Sequence, residues 1–200
     1  MIEFLTVQGL SLARGDRTLF EGLAFSLGSG QVAALTGSNG AGKTTLLRAI
    51  AGFIRPAAGV IGFGGTDAEE ARSGGIHLVG HQDGLKSGRT AREELSFQAA
   101  WAGAAPGDIE TAVETLDLHR LLDMEVRKLS AGQRRRLALA RLLAAPRALW
   151  LLDEPLSPLD ARWRVRFGQI MSRHLEGGGL ILAAVHDALP IPALSVEITA

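Results

Sequence analysis

The chain has 200 residues, 46% hydrophobic and 21% charged, with 21 Lys+Arg against 21 Asp+Glu. That composition excludes a disordered chain, and the zero net charge lacks the basic field of a nonspecific nucleic-acid binder, so no nucleic-acid partner is expected. The absence of cysteine excludes disulfides, thiolate metal sites and cysteine nucleophiles.

The opening Met-Ile-Glu-Phe-Leu-Thr-Val-Gln shows neither a basic n-region nor a long apolar h-region. No apolar run approaches the roughly 20 residues that span a bilayer. The expectation is a soluble or peripheral chain whose membrane role, if it has one, comes through a partner.

Residues 2–7 and 23–27 read as strands flanking a turn at Arg14, Gly15 and Asp16. Residues 31–36 are a compact apolar run that predicts a buried strand ending in a glycine-rich segment. From Lys43 the spacing becomes helical, with Leu46, Leu47, Ile50 and Ala51 on one face and Gly52 as the stop. Residues 60–63 and 76–79 are further short strands. Between residues 90 and 145 the composition turns to Ala, Leu, Glu and Arg. Leu95, Phe97 and Trp101, then Ile109, Val113 and Leu116, predict two or three helices, with Asp108 as an N-cap. A strand at 148–152, a helix at 161–174, a turn at Gly177, Gly178 and Gly179, and a last buried strand at 180–185 complete the pattern. Strands alternating with helices predict an α/β fold with a mostly parallel, covered sheet.

Residues 37–44 read Gly37, Ser38, Asn39, Gly40, Ala41, Gly42, Lys43, Thr44, which is the G-x-x-x-x-G-K-T pattern between a strand and a helix. Glycines let backbone N–H groups close around phosphates, and the helix start adds its positive dipole end. Lys43 would reach the β- and γ-phosphates of ATP, Thr44 would ligate Mg²⁺, and Thr45 would lie near the α-phosphate. Farther on, the strand at 148–152 runs straight into Asp153, Glu154 and Pro155. Carboxylates at the C-terminal end of a buried strand form a site in open α/β sheets. Asp153 would help hold Mg²⁺, and Glu154 would polarise the attacking water as general base.

The segment Leu129, Ser130, Ala131, Gly132, Gln133 resembles the signature loop of ABC (ATP-binding cassette) ATPases, and with the two motifs above it in register the chain is identified as a member of that family. The resemblance implies a P-loop NTPase core with an antiparallel β subdomain at the N-terminus and an inserted α-helical subdomain. It implies a single ABC ATPase domain over 1–200, with 1–83 and 147–200 as the nucleotide-binding core and 84–146 as the helical part. It also implies that two copies pair head to tail, so that Ser130, Gly132 and Gln133 of one chain cap the ATP held by the other. Ser130 can equally be an ordinary helix N-cap. Gln82 resembles the glutamine that senses Mg²⁺ and contacts the membrane partner, Leu159-Asp160 resembles the D-loop, and His186 resembles the switch histidine on the γ-phosphate. Ser157-Pro158 departs from the usual Ser-Ala before the D-loop. Where the family often has an aromatic to stack on adenine, this chain has Arg14. Its guanidinium could lie over the base, or it could be a solvated turn residue. Of Arg134, Arg135 and Arg136, one at most is expected to face nucleotide or partner, and the rest to form a solvated face.

Within the family the chain is similar to the ATP-binding subunits of the bacterial cytochrome c maturation system, the haem exporter ATPases. The cassette is short, residues 79–86 read Val-Gly-His-Gln-Asp-Gly-Leu-Lys, and the stretches 17–23 and 36–43 also fit. This implies ATP hydrolysis coupled to haem export or to release of a haem-loaded chaperone, separate integral membrane subunits of that complex as partners, and a peripheral place at the cytoplasmic face of the bacterial inner membrane. No Cys-x-x-Cys-His motif is present, so no haem ligation by this chain is expected. Three alternatives stay open on the residues: another transporter's ATPase, a soluble ABC ATPase acting on DNA or ribosomes, and a P-loop kinase.

Overall fold

The computed structural model describes residues 1–199, apart from the side chain of Pro106, and the chain resolves into two compact units. The first comprises Met1–Gly80, Arg147–Pro155 and the chain from Arg164 onward, and the second comprises His81–Pro146 and Leu156–Trp163.

The first unit carries two sheets. Strands β1 (Phe4–Arg14) and β2 (Arg17–Gly28) form a hairpin, with β4 (Ala58–Gly64) antiparallel on the other edge of β1. These strands are longer than the apolar runs at 2–7 and 23–27 suggest. Pairing continues to Arg14 opposite Arg17, with register shifts between Val7 and Leu10, Leu10 and Leu12, and Leu12 and Ala13. Each shift breaks the two-residue alternation on which a strand is recognised. The second sheet contains β3 (Val32–Thr36), β5 (Ile76–Val79), β6 (Leu149–Asp153), β7 (Leu180–Ala184) and β8 (Leu194–Glu197), all parallel, in the order β5-β6-β7-β3-β8. Strand β8 lies beyond the strand expected to be last. It is mostly exposed and occupies the sheet edge, so it lacks the buried apolar run that marks the central strands.

Helix α1 (Lys43–Ile50) follows β3 and buries Leu46, Leu47, Ala49 and Ile50. A short helix, α2 (Ala68–Glu70), is capped by the Asp67 carboxylate and continues through a π-helical turn into β5. One apolar cluster joins Leu5, Leu10, Leu12 and Phe20 of the antiparallel sheet to Leu35, Leu46, Leu149 and Leu182 of the parallel sheet and α1. This shared core holds β2 against the segment that follows β3.

Most of α6 (Ala161–Glu176) belongs to the first unit. Its His174 stacks on Trp150 of β6 with ring centroids 3.8 Å apart and planes 8° apart. His174 Nε2 lies 3.2 Å from the Ala148 carbonyl. Burial holds the imidazole pKa below its ordinary value, against two backbone hydrogen bonds that raise it. Above about pH 6.5 the ring is neutral in both folded and unfolded states. Below it the unfolded ring takes up a proton that the folded one resists, so stability declines until the pH reaches the lowered folded-state value. Thermal melts between about pH 7.5 and pH 5.5 should therefore show an acid-side fall in wild type that is shallower in His174→Gln. Parallel slopes in the two proteins would remove His174 as a source.

The second unit packs α3 (Ala91–Trp101), α4 (Pro106–Thr115) and α5 (Ala131–Ala144). Thr90 and Glu93 form a reciprocal capping box at α3, as Ser130 and Gln133 do at α5. Asp108 is not the cap of α4: the N-cap is Ala105, the proline follows at the first helical position, and Asp108 adds charge to the first turn. Leu95 is buried, but Phe97 and Trp101 on the same helix are 51% and 86% exposed. Trp150 is core, and Trp163 lies under Arg136 with the guanidinium 4.2 Å from its ring centroid.

Candidate nucleotide-binding site

Parallel strands bring their C-terminal ends to one edge of the sheet. In the first unit β3 ends in the loop 37–42, β6 ends in Asp153 followed by Glu154, and β7, lying between β3 and β6, leads to His186. Strand order, not sequence distance, therefore places His186 between the glycine loop and the carboxylates.

The loop is shaped from both sides. Gly37 has φ +131°, and a Cβ there would stand 2.5 Å from the carbonyl oxygen of Ile198, just after β8. Gly42 has φ +106° and serves as N-cap of α1; a Cβ there would meet the Phe20 ring at 3.1 Å and Leu19 at 3.3 Å. Lys43, nearly buried, turns back across the loop and donates to the carbonyls of Gly37 (2.7 Å) and Ser38 (3.2 Å). Ser38, Asn39 and Gly40 are exposed, Ala41 is buried, and Thr45 is half-buried. No side chain caps α1. Its first-turn N–H groups are consequently available to an anion, to which the helix dipole also contributes.

Thr44 Oγ1 donates to Asp153 Oδ2 at 2.8 Å. Asp153 is 4% exposed and supplies a hard oxygen donor beside the hydroxyl. Two adjacent ligands of octahedral Mg²⁺, at about 2.0–2.1 Å from the ion, stand about 2.9 Å apart, so this pair fits that ion. Glu154 adopts φ +50°, a left-handed conformation that costs energy outside glycine. Its N–H donates to Ala184 O at 2.9 Å, and its Oε1 lies 3.3 Å from His186 Nε2. The strained backbone turns this carboxylate out of the line of β6 toward the end of β7. Glu154 is partly buried while His186 is exposed. Arg14 is exposed at the end of β1, beside the turn at Gly15.

The second unit holds the remaining candidates. Ser130 Oγ accepts from Gln133 N at 3.2 Å, and Ser130 N donates to Gln133 Oε1 at 2.8 Å. Accepting that bond leaves the Ser130 hydroxyl proton available to an oxyanion. Gly132 packs closely, since a Cβ there would lie 3.0 Å from Pro158 O. Asp160 Oδ1 accepts from Trp163 N at 2.8 Å, a capping bond at the start of α6. Gln82 is exposed.

The arginine triplet does not form a solvated face. Arg134 Nη1 donates to Leu129 O at 2.6 Å, Arg136 Nη1 donates to Leu116 O at 2.9 Å and to Asp117 O at 3.1 Å, and Arg135 is 1% exposed and paired with Asp83 at 3.0 Å. A run of charge on a helix spreads round it at about 100° per residue, and here one of the three positions faces the interior.

Residues 20–157 match the model of the ABC transporter family. The chain belongs to the ABC transporter family. Membership in this ABC family carries ATP binding and ATP hydrolysis coupled to transport. ATP-binding subunits of the ABC family generally dimerise and work with membrane subunits. The chain is 46% identical to the cytochrome c biogenesis ATP-binding export protein CcmA of Rhodopseudomonas palustris, over 98% of each chain. It is 45% identical to the protein of the same name from Hyphomonas neptunium, over 98% of this chain and 95% of that one. Among solved structures, a putative ABC transporter ATP-binding protein from Pyrococcus furiosus superimposes with TM-score 0.83 at 22% identity over 98% of this chain and 97% of that one, a likeness of fold. A bacterial Atm1-family ABC exporter with ATP bound matches with TM-score 0.79 at 25% identity, over 92% of this chain and 35% of that one. No helix among the described residues of this ABC subunit is long and apolar enough to cross a membrane.

Proposed function

We propose that this chain is the ATP-hydrolysing subunit of a membrane complex for cytochrome c biogenesis, driving haem export or release of a haem-loaded chaperone. The observation that carries the reading is its 46% identity to a CcmA protein over 98% of both chains. The chain acts as one ABC ATPase domain, with residues 84–146 as the helical part. Its partners are a second copy and the integral membrane subunits of the maturation complex, and it sits peripherally on the cytoplasmic face of the bacterial inner membrane.

In this mechanism the N–H groups of residues 37–42 and of the first turn of α1 bind the ATP phosphates, with Lys43 on the β- and γ-phosphates. Thr44 and Asp153 would hold Mg²⁺, with Gln82 as the glutamine that senses the ion. When bound, the ion neutralises charge on the β- and γ-oxygens. Glu154 takes the proton of the attacking water as its oxygen bonds to the γ-phosphorus and the bond to ADP breaks. His186, 3.3 Å from Glu154, orients against the γ-phosphate. Ser130, Gly132 and Gln133 of the second copy close the site from the other side, and Thr45 and Arg14 flank the α-phosphate and the adenine.

The test is a haem stain of membrane c-type cytochromes in a host whose only copy carries Glu154→Gln. Loss of covalently attached haem is expected. Normal staining, with the variant expressed at wild-type level, would assign the ATPase to a different transport system.

A further inference from the structure

Three consecutive arginines open α5 directly after the Ser130–Gln133 capping box, and they have different fates. Arg134 and Arg136 staple backbone carbonyls of their own surroundings, at Leu129 and at Leu116 and Asp117. Arg135 is 1% exposed, and its Nη1 lies 3.0 Å from Oδ1 of Asp83, whose side chain is 20% exposed. Asp83 is the next residue after Gln82, and Arg135 stands two residues after Gln133. The pair spans 52 positions of sequence inside one compact unit.

A buried ion pair is weak ground for stability, because apolar residues of similar volume commonly serve as well or better. Holding a charged pair here is better explained by what it fixes. A guanidinium is a planar fork of donors that constrains the direction as well as the distance of its carboxylate. The Gln82 segment is otherwise an exposed, irregular stretch between β5 and α3.

We propose that Asp83 and Arg135 are positioning residues: their ion pair ties the segment carrying Gln82 to the helix that presents Ser130 and Gln133, so that the two nucleotide-facing elements of this unit move as one piece. The inference rests on the function proposed above. It adds that Gln82 reaches its working position only when the signature helix holds it there. Neither side chain needs to touch ATP.

The test compares the full chain as wild type, Asp83→Asn, Arg135→Met and the double variant Asp83→Leu/Arg135→Met. Phosphate release without an acceptor, affinity for a fluorescent ATP analogue, and melting temperature are measured on each. A displacement of about 1 Å can cost about 100-fold in rate, so each single variant should lose at least about tenfold in kcat while nucleotide affinity stays close to wild type. The double variant removes both charges of the pair. It should recover the melting temperature without recovering kcat. Recovery of both together would reduce the pair to a structural contact, as would singles that turn over normally. If wild type itself released no phosphate, the ATPase reading would fail first and the positioning role with it, an outcome distinct from active wild type with active variants.

Discussion

Glu154→Gln is expected to bind ATP as well as wild type and to hydrolyse it about 10²- to 10⁴-fold more slowly, the usual worth of a positioned general base. Glutamine keeps the shape and the 17% side-chain exposure of the site while removing the basic oxygen. The backbone at this position is already held at φ +50° by the bond from its N–H to Ala184 O. The amide should therefore occupy the carboxylate's place without disturbing Asp153 or Thr44. With hydrolysis stopped, ATP and Mg²⁺ should shift the protein from monomer to dimer in light scattering, because the ATP that holds the pair closed persists. Near-normal turnover, or a variant that remains monomeric in saturating ATP, would contradict both the base assignment and head-to-tail pairing. The same substitution also removes the carboxylate oxygen that lies 3.3 Å from His186 Nε2.

Lys43→Ala should act at an earlier step. The ammonium bridges the carbonyls of Gly37 and Ser38 and is nearly buried, so it both braces the loop and supplies its strongest positive charge. One hydrogen bond to a charged group is worth about 1.5–3 kcal/mol, which converts to a loss of about 10- to 100-fold in ATP affinity, with turnover falling below detection. Titration calorimetry with ATP checks the first quantity and phosphate release the second. An unchanged dissociation constant would show that backbone N–H groups alone retain the nucleotide, and would move Lys43 from binding to catalysis. The melting temperature without nucleotide should fall only slightly, since alanine leaves the carbonyls of Gly37 and Ser38 near solvent.

The parts of the site legible from residue order are those where chemistry and local backbone coincide. The pattern from Gly37 to Thr44 needs glycine at tight turns and a lysine at a helix start, and both requirements are local. Asp153 and Glu154 follow an apolar run, Leu149–Asp153, whose five residues are all buried. By contrast, the strands β1 and β2 extend well past their apolar runs, with register shifts that interrupt alternation, and β8 has no apolar run to mark it, because an edge strand need not be apolar. Asp108 fitted the chemistry of a cap, but the backbone entered the helix two residues earlier, at the proline that fixes φ for the first turn. The arginine triplet read as a charged surface because charge runs usually are one; only the fold brings Asp83 within 3.0 Å of Arg135.

Sequence by itself determined the α/β class and family membership, and it singled out the candidate phosphate loop, carboxylate pair and signature loop, which are residue types at short fixed spacings. Tertiary structure alone decided that β7 inserts between β3 and β6 and so delivers His186 beside Glu154. It also decided that the Ile198 carbonyl leaves no room for a Cβ at Gly37, that Phe20 crowds one at Gly42, and that one arginine of three is buried. These are contacts between segments far apart in the chain. They depend on strand order and on the packing of one sheet against another, which no local spacing encodes.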